Sequence, residues 1–192
     1  LDVRSADEFA KCHIPCSTFI GIKGPFAPWV GALIKDVKQP LLLIVPEGEL
    51  SEVVTRLSRV GFDNVLGYLE GGVENWKGNG KETDRVDSIS PEEFYARHSE
   101  KNGNIFDVRK PSEYVSQSVI GAINTPLKEI NELLSVFTES TKGADVNYIH
   151  CGGGYRSMIA ISILKSRGLH DFVNVEQGFA GIKETSISKT EF

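Results

Sequence analysis

In Cys151-Gly152-Gly153-Gly154-Tyr155-Arg156-Ser157 a cysteine opens a glycine-rich turn between two apolar runs. Ahead of it, Val146, Tyr148 and Ile149 have the look of a buried strand; behind it, Met158, Ile159, Ile161, Ile163 and Leu164 have that of a helix. The cysteine thus stands where a strand ends and a helix begins. Backbone N–H groups at a helix start have no partner inside the helix and carry partial positive charge, so they stabilise an anion placed among them. A thiol in such a cradle loses its proton more readily, and the thiolate is the nucleophile. Three successive glycines remove the Cβ atoms that would keep those amides apart, and Arg156 adds a permanent charge and a planar fork of donors. The stretch predicts a site where cysteine attacks, or carries, something anionic. The plainer alternative is a buried cysteine beside a flexible turn, a common fate of free cysteine. The loop has no P-loop lysine.

Working outward, the chain repeats itself. Leu1-Asp2-Val3-Arg4 returns as Phe106-Asp107-Val108-Arg109, and Glu8-Phe9 returns as Glu113-Tyr114, at the same spacing in both copies. The same step carries Ile44 to Ile149 and Pro46 to Cys151. Two units are therefore expected, residues 1–84 and 85–192, each of ordinary domain size. The first has lost the chemistry. Its loop is Pro46-Glu47-Gly48-Glu49-Leu50-Ser51, with no nucleophile, two carboxylates where positive potential is wanted, and Ser51 in the place of Arg156. The first unit is expected to be folded but inactive. It also opens inside a strand and lacks the lead-in, Ile89 to Asn104, that precedes the second copy, which predicts that its amino-terminal part is missing.

The patterning places strands at Leu1–Val3, Leu41–Val45 and Val65–Leu69, with Thr18–Ile20 extended, and helices at Ala6–Lys11, from Pro28 to Ile34, at Ser51–Val60 and at Val73–Lys77. Gly61 is placed to end the third of these helices. A linker runs from Gly78 through Asp87. In the second unit, helices are expected from Ser90-Pro91 to His98, at Pro111–Val115, Leu127–Phe137, Ser157–Arg167 and Phe179–Glu184. Strands are expected at Ile105–Val108, Asn147–His150 and Phe172–Val175, with Ala122–Asn124 extended. Short apolar strands alternating with helices predict an α/β fold in which each unit is a parallel sheet with helices on both faces. Ligands of such sheets bind beyond the carboxyl ends of the strands, where Cys151 sits.

Composition narrows the partners. The net charge is −5, apolar content is 40% and charged content 24%. Neither half is basic and no Lys/Arg run occurs, so nucleic acid is excluded as a partner. No stretch approaches the apolar length of a membrane span, and the expected location is cytoplasmic. Cys12-His13-Ile14-Pro15-Cys16 invites a zinc reading, but no second Cys/His pair follows to complete four ligands, so structural roles are expected and no metal site is assigned. His150 could serve as a base. Adjacent strand residues point to opposite faces, which favours a supporting or core role instead.

Both halves resemble rhodanese domains, the sulfurtransferase module. The resemblance rests on Asp-Val-Arg followed by Glu and an aromatic in both copies, on His13-Ile14-Pro15, on Glu70-Gly71-Gly72 with Trp76, and above all on Cys151 to Arg156. The second copy is looser at Ser118-Val119-Ile120-Gly121-Ala122 and at Glu176-Gln177-Gly178, with Ile182 in place of the tryptophan. Rhodaneses are similar in having four residues between Cys and Arg, where related phosphatase-type loops have five and cradle a larger phosphate. The resemblance implies that Cys151 is catalytic and holds sulfane sulfur as a persulfide. It implies too that Gly152, Gly153, Gly154, Tyr155, Arg156 and Ser157 form the substrate-binding loop, and that small sulfur donors (thiosulfate or a low-molecular-weight persulfide) and thiophilic acceptors are the partners. Arg156 either orients the donor or fixes the loop from beneath; Tyr155 borders the acceptor path; Asp107 and Arg109, shared with the inactive copy, are structural. Phe26-Ala27-Pro28-Trp29-Val30-Gly31 and Pro40 to Gly48 further resemble the first repeat of proteins that carry a metallo-β-lactamase-fold domain ahead of two rhodanese domains, several of them similar to persulfide dioxygenases. On that likeness no cofactor is expected in this chain, and any iron or zinc centre would belong to a preceding domain. The alternatives are a non-catalytic sulfur-sensing or scaffolding region of such a protein, and a cysteine phosphatase or arsenate reductase.

Overall fold

The computed structural model describes residues 1–100 and 103–191; the charged lead into the second unit's first central strand lies partly outside them. The chain divides into two units, Leu1–Arg85 and Val86–Phe192.

The first unit runs α1 (Ala6–Lys11), α2 (Phe26–Leu33), β1 (Leu41–Leu43), α3 (Leu50–Ser58), β2 (Val65–Tyr68) and α4 (Gly72–Gly78). β1 and β2 pair in parallel. The strand expected at Leu1–Val3 is reduced to bridges from Asp2 to Phe19 and to Ile44. The Asp2 carboxylate accepts the Arg4 amide at 3.1 Å and turns the chain out of the ladder. Ser5 and Glu8 cap α1 reciprocally, a device that satisfies two orphan amides. α2 starts two residues ahead of Pro28. Pro28 falls in the first turn, where a missing N–H costs nothing.

The second unit runs β3 (Ser88–Ile89), α5 (Pro91–Glu100), β4 (Gly103–Asp107), α6 (Pro111–Ser116), β5 (Ile123–Asn124), a 3₁₀ turn at Leu127–Glu129, α7 (Leu134–Ser140), β6 (Val146–His150), α8 (Tyr155–Ser166), β7 (Val173–Val175) and α9 (Gly178–Ile182). The five strands form one sheet, ordered β3-β7-β6-β4-β5 and parallel throughout. Successive β4 residues feed opposite faces. Ile105 joins Phe94 of α5, Tyr148, and Phe179 and Ile182 of α9 in one buried cluster. Phe106 packs instead on Phe137 of α7, ring centroids 4.8 Å apart. α8 buries Ser157 through Leu164 without a break, as a helix apolar all round must.

Three elements differ from expectation. The single helix expected over Leu127–Phe137 is broken. The Leu127 amide is taken by the Val108 carbonyl at 3.1 Å, and Leu127 and Ile130 are buried together, three apart as a 3₁₀ turn requires. β3 was not expected. Two residues have no period, and they become a strand only by pairing with β7. α8 begins at Tyr155, not Ser157, so Arg156 and Ser157 lie inside its first turn.

Each unit is pinned by the same buried ion pair. Arg109 Nε and Nη2 donate to the Asp107 carboxylate at 2.9 and 2.6 Å, and Nη2 also donates to the Gln117 carbonyl at 2.7 Å. Arg4 repeats this on Asp2 and the Cys12 carbonyl. The Asp107 and Asp2 side chains are wholly buried. Arg109 also stacks on the Phe179 ring, 3.9 Å from its centroid, a desolvated cation–π contact. Arg109→Met leaves the Asp107 carboxylate buried without its partner, and should cost about 3–5 kcal/mol. Urea denaturation checks this; an unchanged midpoint contradicts it.

Candidate active site

Cys151 follows the last residue of β6, and the loop to α8 turns through Gly154, whose φ of 96° lies in the left-handed region that a side chain resists. The Gly154 amide donates to Cys151 Sγ at 3.1 Å. The Ser157 hydroxyl lies 3.6 Å from the sulfur and donates to the Gly154 carbonyl at 3.0 Å. Cys151 itself is 1% exposed. The thiol therefore sits on the floor of the loop, nearly closed from solvent, with a main-chain donor aimed at it.

The loop is braced from outside by the start of α9. The Phe179 amide donates to the Cys151 carbonyl at 2.6 Å and the Ala180 amide to the Gly152 carbonyl at 3.0 Å. These are helix-start amides with no partner inside their own helix. Gly178, at φ 52°, makes the approach possible: a Cβ there would lie 2.3 Å from the Cys151 carbonyl oxygen. The family likeness at Glu176-Gln177-Gly178 does not reveal this role; the signal in the sequence is a glycine opening a short apolar helix.

Arg156 does not point into the loop unpaired. Its Nη1 and Nη2 donate to the two oxygens of Glu113 at 2.6 and 2.8 Å. Glu113 belongs to the first turn of α6 and accepts the Lys110 amide at 3.1 Å. The hydrogen bond from Arg156 holds its carboxyl down at about 2, and the same bond raises the guanidinium. Of the two roles open to Arg156, this geometry is that of fixing the loop. Glu113 was legible as the counterpart of Glu8, but not as the partner of Arg156.

The remaining expected residues fall as follows. Gly152 backs onto the Arg156–Glu113 pair: a Cβ there would meet Arg156 Nη2 at 2.8 Å. Gly153 is exposed, with nothing within 4 Å of a Cβ. Tyr155 is partly buried, and burial raises its hydroxyl. Ser157 is fully buried. His150 is fully buried; burial lowers its imidazole, Nδ1 lies 3.3 Å from the Cys151 carbonyl oxygen and Nε2 lies 3.8 Å from Asp107. This is a core position, not that of a base serving the thiol. Asp107 and Arg109 satisfy one another beneath the loop.

In the first unit, the matching loop borders a cavity of about 670 Å³ lined by Arg4, Glu8, Pro46, Glu47, Glu70 and Glu74 among others. It has no thiol in the place of Cys151. His13, the centre of the zinc reading, stacks on Phe9 at 4.0 Å, with Nδ1 2.8 Å from the Phe9 carbonyl oxygen. Among the described residues no cluster of three or more His, Cys, Asp or Glu side chains is arranged to hold a metal ion. Nor is any helix among them long and apolar enough to cross a membrane.

Two measurements test this site. Gly178→Ala drives a Cβ into the Cys151 carbonyl and should destabilise the unit by about 1–3 kcal/mol; a variant with an unchanged unfolding midpoint contradicts the brace. Because the Glu113 carboxyl is depressed, its stabilising contribution is complete above the ordinary value of 4.5 and is lost as pH falls towards about 2. The difference in thermal midpoint between the native chain and Glu113→Gln should be constant at neutral pH and shrink in acid. A difference that grows in acid contradicts the assignment.

A scan of protein families finds the Rhodanese-like domain twice, at residues 1–79 and 90–185. Among curated proteins, the chain is 33% identical over 85 residues to thiosulfate sulfurtransferase PspE of Escherichia coli (strain K12), covering 44% of this chain and 76% of that protein. It is 28% identical over 92 residues to the uncharacterized protein YqhL of Bacillus subtilis (strain 168), covering 48% and 68% respectively. Among solved structures, thiosulfate sulfurtransferase from Pseudomonas aeruginosa superposes with a TM-score of 0.48 at 21% identity, covering 99% of this chain and 39% of that one.

Proposed function

We propose, from the premise that this chain belongs to the rhodanese-like domain family in both of its units, that it transfers sulfane sulfur through a persulfide on Cys151. The observation that carries the reading is the Gly154 amide directed at Cys151 Sγ from the start of α8. That amide and the helix N-terminus place main-chain donors where a negative charge on sulfur would be held.

The thiolate attacks the outer sulfur of thiosulfate or of a low-molecular-weight persulfide. The donor's S–S bond breaks, sulfite or a thiolate leaves with the electron pair, and Cys151 becomes Cys–S–S⁻. Charge is conserved in either case. The same amide and helix end then stabilise the persulfide anion. A thiophilic acceptor attacks the terminal sulfur, and Cys151 leaves as thiolate, ready for another donor. Ser157 can turn its hydroxyl toward whichever sulfur species carries the charge, since it already lies 3.6 Å away. The family name of PspE supports thiosulfate as one donor. The four-residue span from Cys151 to Arg156 supports a single added sulfur over a phosphoryl group.

The first unit takes no part in the chemistry on this reading. Pro46 stands in the nucleophile's place and the loop carries Glu47 and Glu49. Its likeness to the first repeat of metallo-β-lactamase-fold fusion proteins supports a scaffolding role beside such a domain.

Incubation with thiosulfate, or with a hydropersulfide, followed by intact-mass measurement tests the reading. The expected result is a gain of one sulfur atom, lost in Cys151→Ser and removed by an added thiol acceptor. A folded protein that gains sulfur from neither donor would leave the scaffold or sulfur-sensor alternative standing.

A further inference from the structure

The charges around the loop are more evenly compensated than its glycines and arginine suggest. Arg156, the residue that would draw a multiply charged anion, spends Nη1 and Nη2 on Glu113. Beneath the loop, Arg109 is likewise matched by Asp107. His150, the remaining ionisable side chain next to the cysteine in sequence, is wholly buried. What is left beside the sulfur to hold an anion is uncharged: the start of α8, the Gly154 amide and the Ser157 hydroxyl. A helix end carries about half an elementary charge, which suits one negative charge better than two.

The first unit shows that the Glu113–Arg156 pair is not a by-product of capping α6. Glu8 occupies the same place in its repeat, but Ser51 replaces the arginine. There the carboxylate turns back to the Ser5 amide at 3.0 Å and to the Ser5 hydroxyl. In the second unit Glu113 keeps the amide contact, to Lys110, and adds both bonds to Arg156. The pair then lies against the first glycine of the loop, where a Gly152 Cβ would stand 2.8 Å from Arg156 Nη2 and 3.7 Å from Glu113 Oε1.

We propose that Glu113 is a specificity-determining residue: by cancelling the charge of Arg156 beside the loop, it makes the site favour singly charged hydropersulfide donors over dianionic thiosulfate. This rests on the sulfurtransferase reading above. The transfer is R–S–S⁻ plus Cys151–S⁻ giving R–S⁻ plus Cys151–S–S⁻. The donor's S–S bond is exchanged for the new one, with no external oxidant or reductant.

Glu113→Gln keeps the side-chain shape and one acceptor for Arg156 while removing the negative charge. Steady-state kcat/KM should rise about tenfold with thiosulfate in this variant and change less than about threefold with a glutathione hydropersulfide, as expected for a half-buried charge acting mainly on the more highly charged partner. Calorimetry with sulfate, a dianion that cannot donate sulfur, should show tighter binding to Glu113→Gln than to the native chain. In the native chain, kcat/KM for thiosulfate should depend only weakly on ionic strength, a measurement that needs no variant. Parallel losses with both donors, an unchanged donor ratio, or a steep salt dependence of the native chain would overturn the proposal. Failure of the sulfurtransferase reading is distinguishable: no sulfur would be taken from either donor, while the sulfate titration would still report whether Glu113 masks Arg156.

Discussion

The site depends on two hydrogen bonds that do not touch the sulfur. The amides of Phe179 and Ala180, at the start of α9, hold the carbonyls of Cys151 and Gly152. With those carbonyls drawn outward, the loop can bring an amide inward, and Gly154 donates to the thiol. Gly178 is the point on which this turns, since any side chain there would collide with the Cys151 carbonyl. The brace also joins two elements remote in sequence, which makes the loop's shape a property of the folded sheet and not of its own glycines. The cost of leaving helix-start amides and loop carbonyls unpaired in a buried place is what holds the arrangement.

The two units show one buried ion pair beneath two different loops. Each keeps the buried Asp–Arg pair at its strand end, with the arginine reaching the carbonyl of Cys12 or Gln117. A buried pair of this kind is costly to break from one side, which explains its presence in both units. The loops diverge instead. In the second unit the small residues admit an inward amide and Arg156 anchors the helix start to Glu113. In the first, Pro46 and Glu47 line a cavity that Glu8, Glu70 and Glu74 share with Arg4 and Lys11. Glu8 and Glu113 show how a single carboxylate changes role with its neighbour: a cap where the partner is serine, a counter-ion where it is arginine.

Local patterning recovered most of the elements because the signals were themselves local. α1 lies at the expected residues, its capping serine and glutamate both visible in the sequence. β6 and the body of α8 were marked by their apolar runs. β3 is two residues long and exists through its pairing with β7. The break between the Leu127 turn and α7 follows from a hydrogen bond to Val108. The earlier start of α8 reflects Gly154 taking a left-handed conformation as its cap. In the first two cases a contact with a distant part of the chain overrode the local preference; in the third the glycine beside the helix set its start.

The amino-acid order alone was enough to settle the repeat, the parallel α/β class, and a cysteine at a strand end facing a helix start, because periodicity and the chemistry of residue types are carried by neighbours. It also distinguished the unit whose loop carries Cys151 from the one whose loop carries Pro46. Three-dimensional packing decided what surrounds that cysteine: that its sulfur lies nearly closed from solvent, that α9 braces its loop, and that Glu113 neutralises Arg156. The physical reason is range. A hydrogen bond or an ion pair acts over about 3 Å, and which groups come within that distance is set only once the sheet has brought α6, α8 and α9 to the same end of its strands.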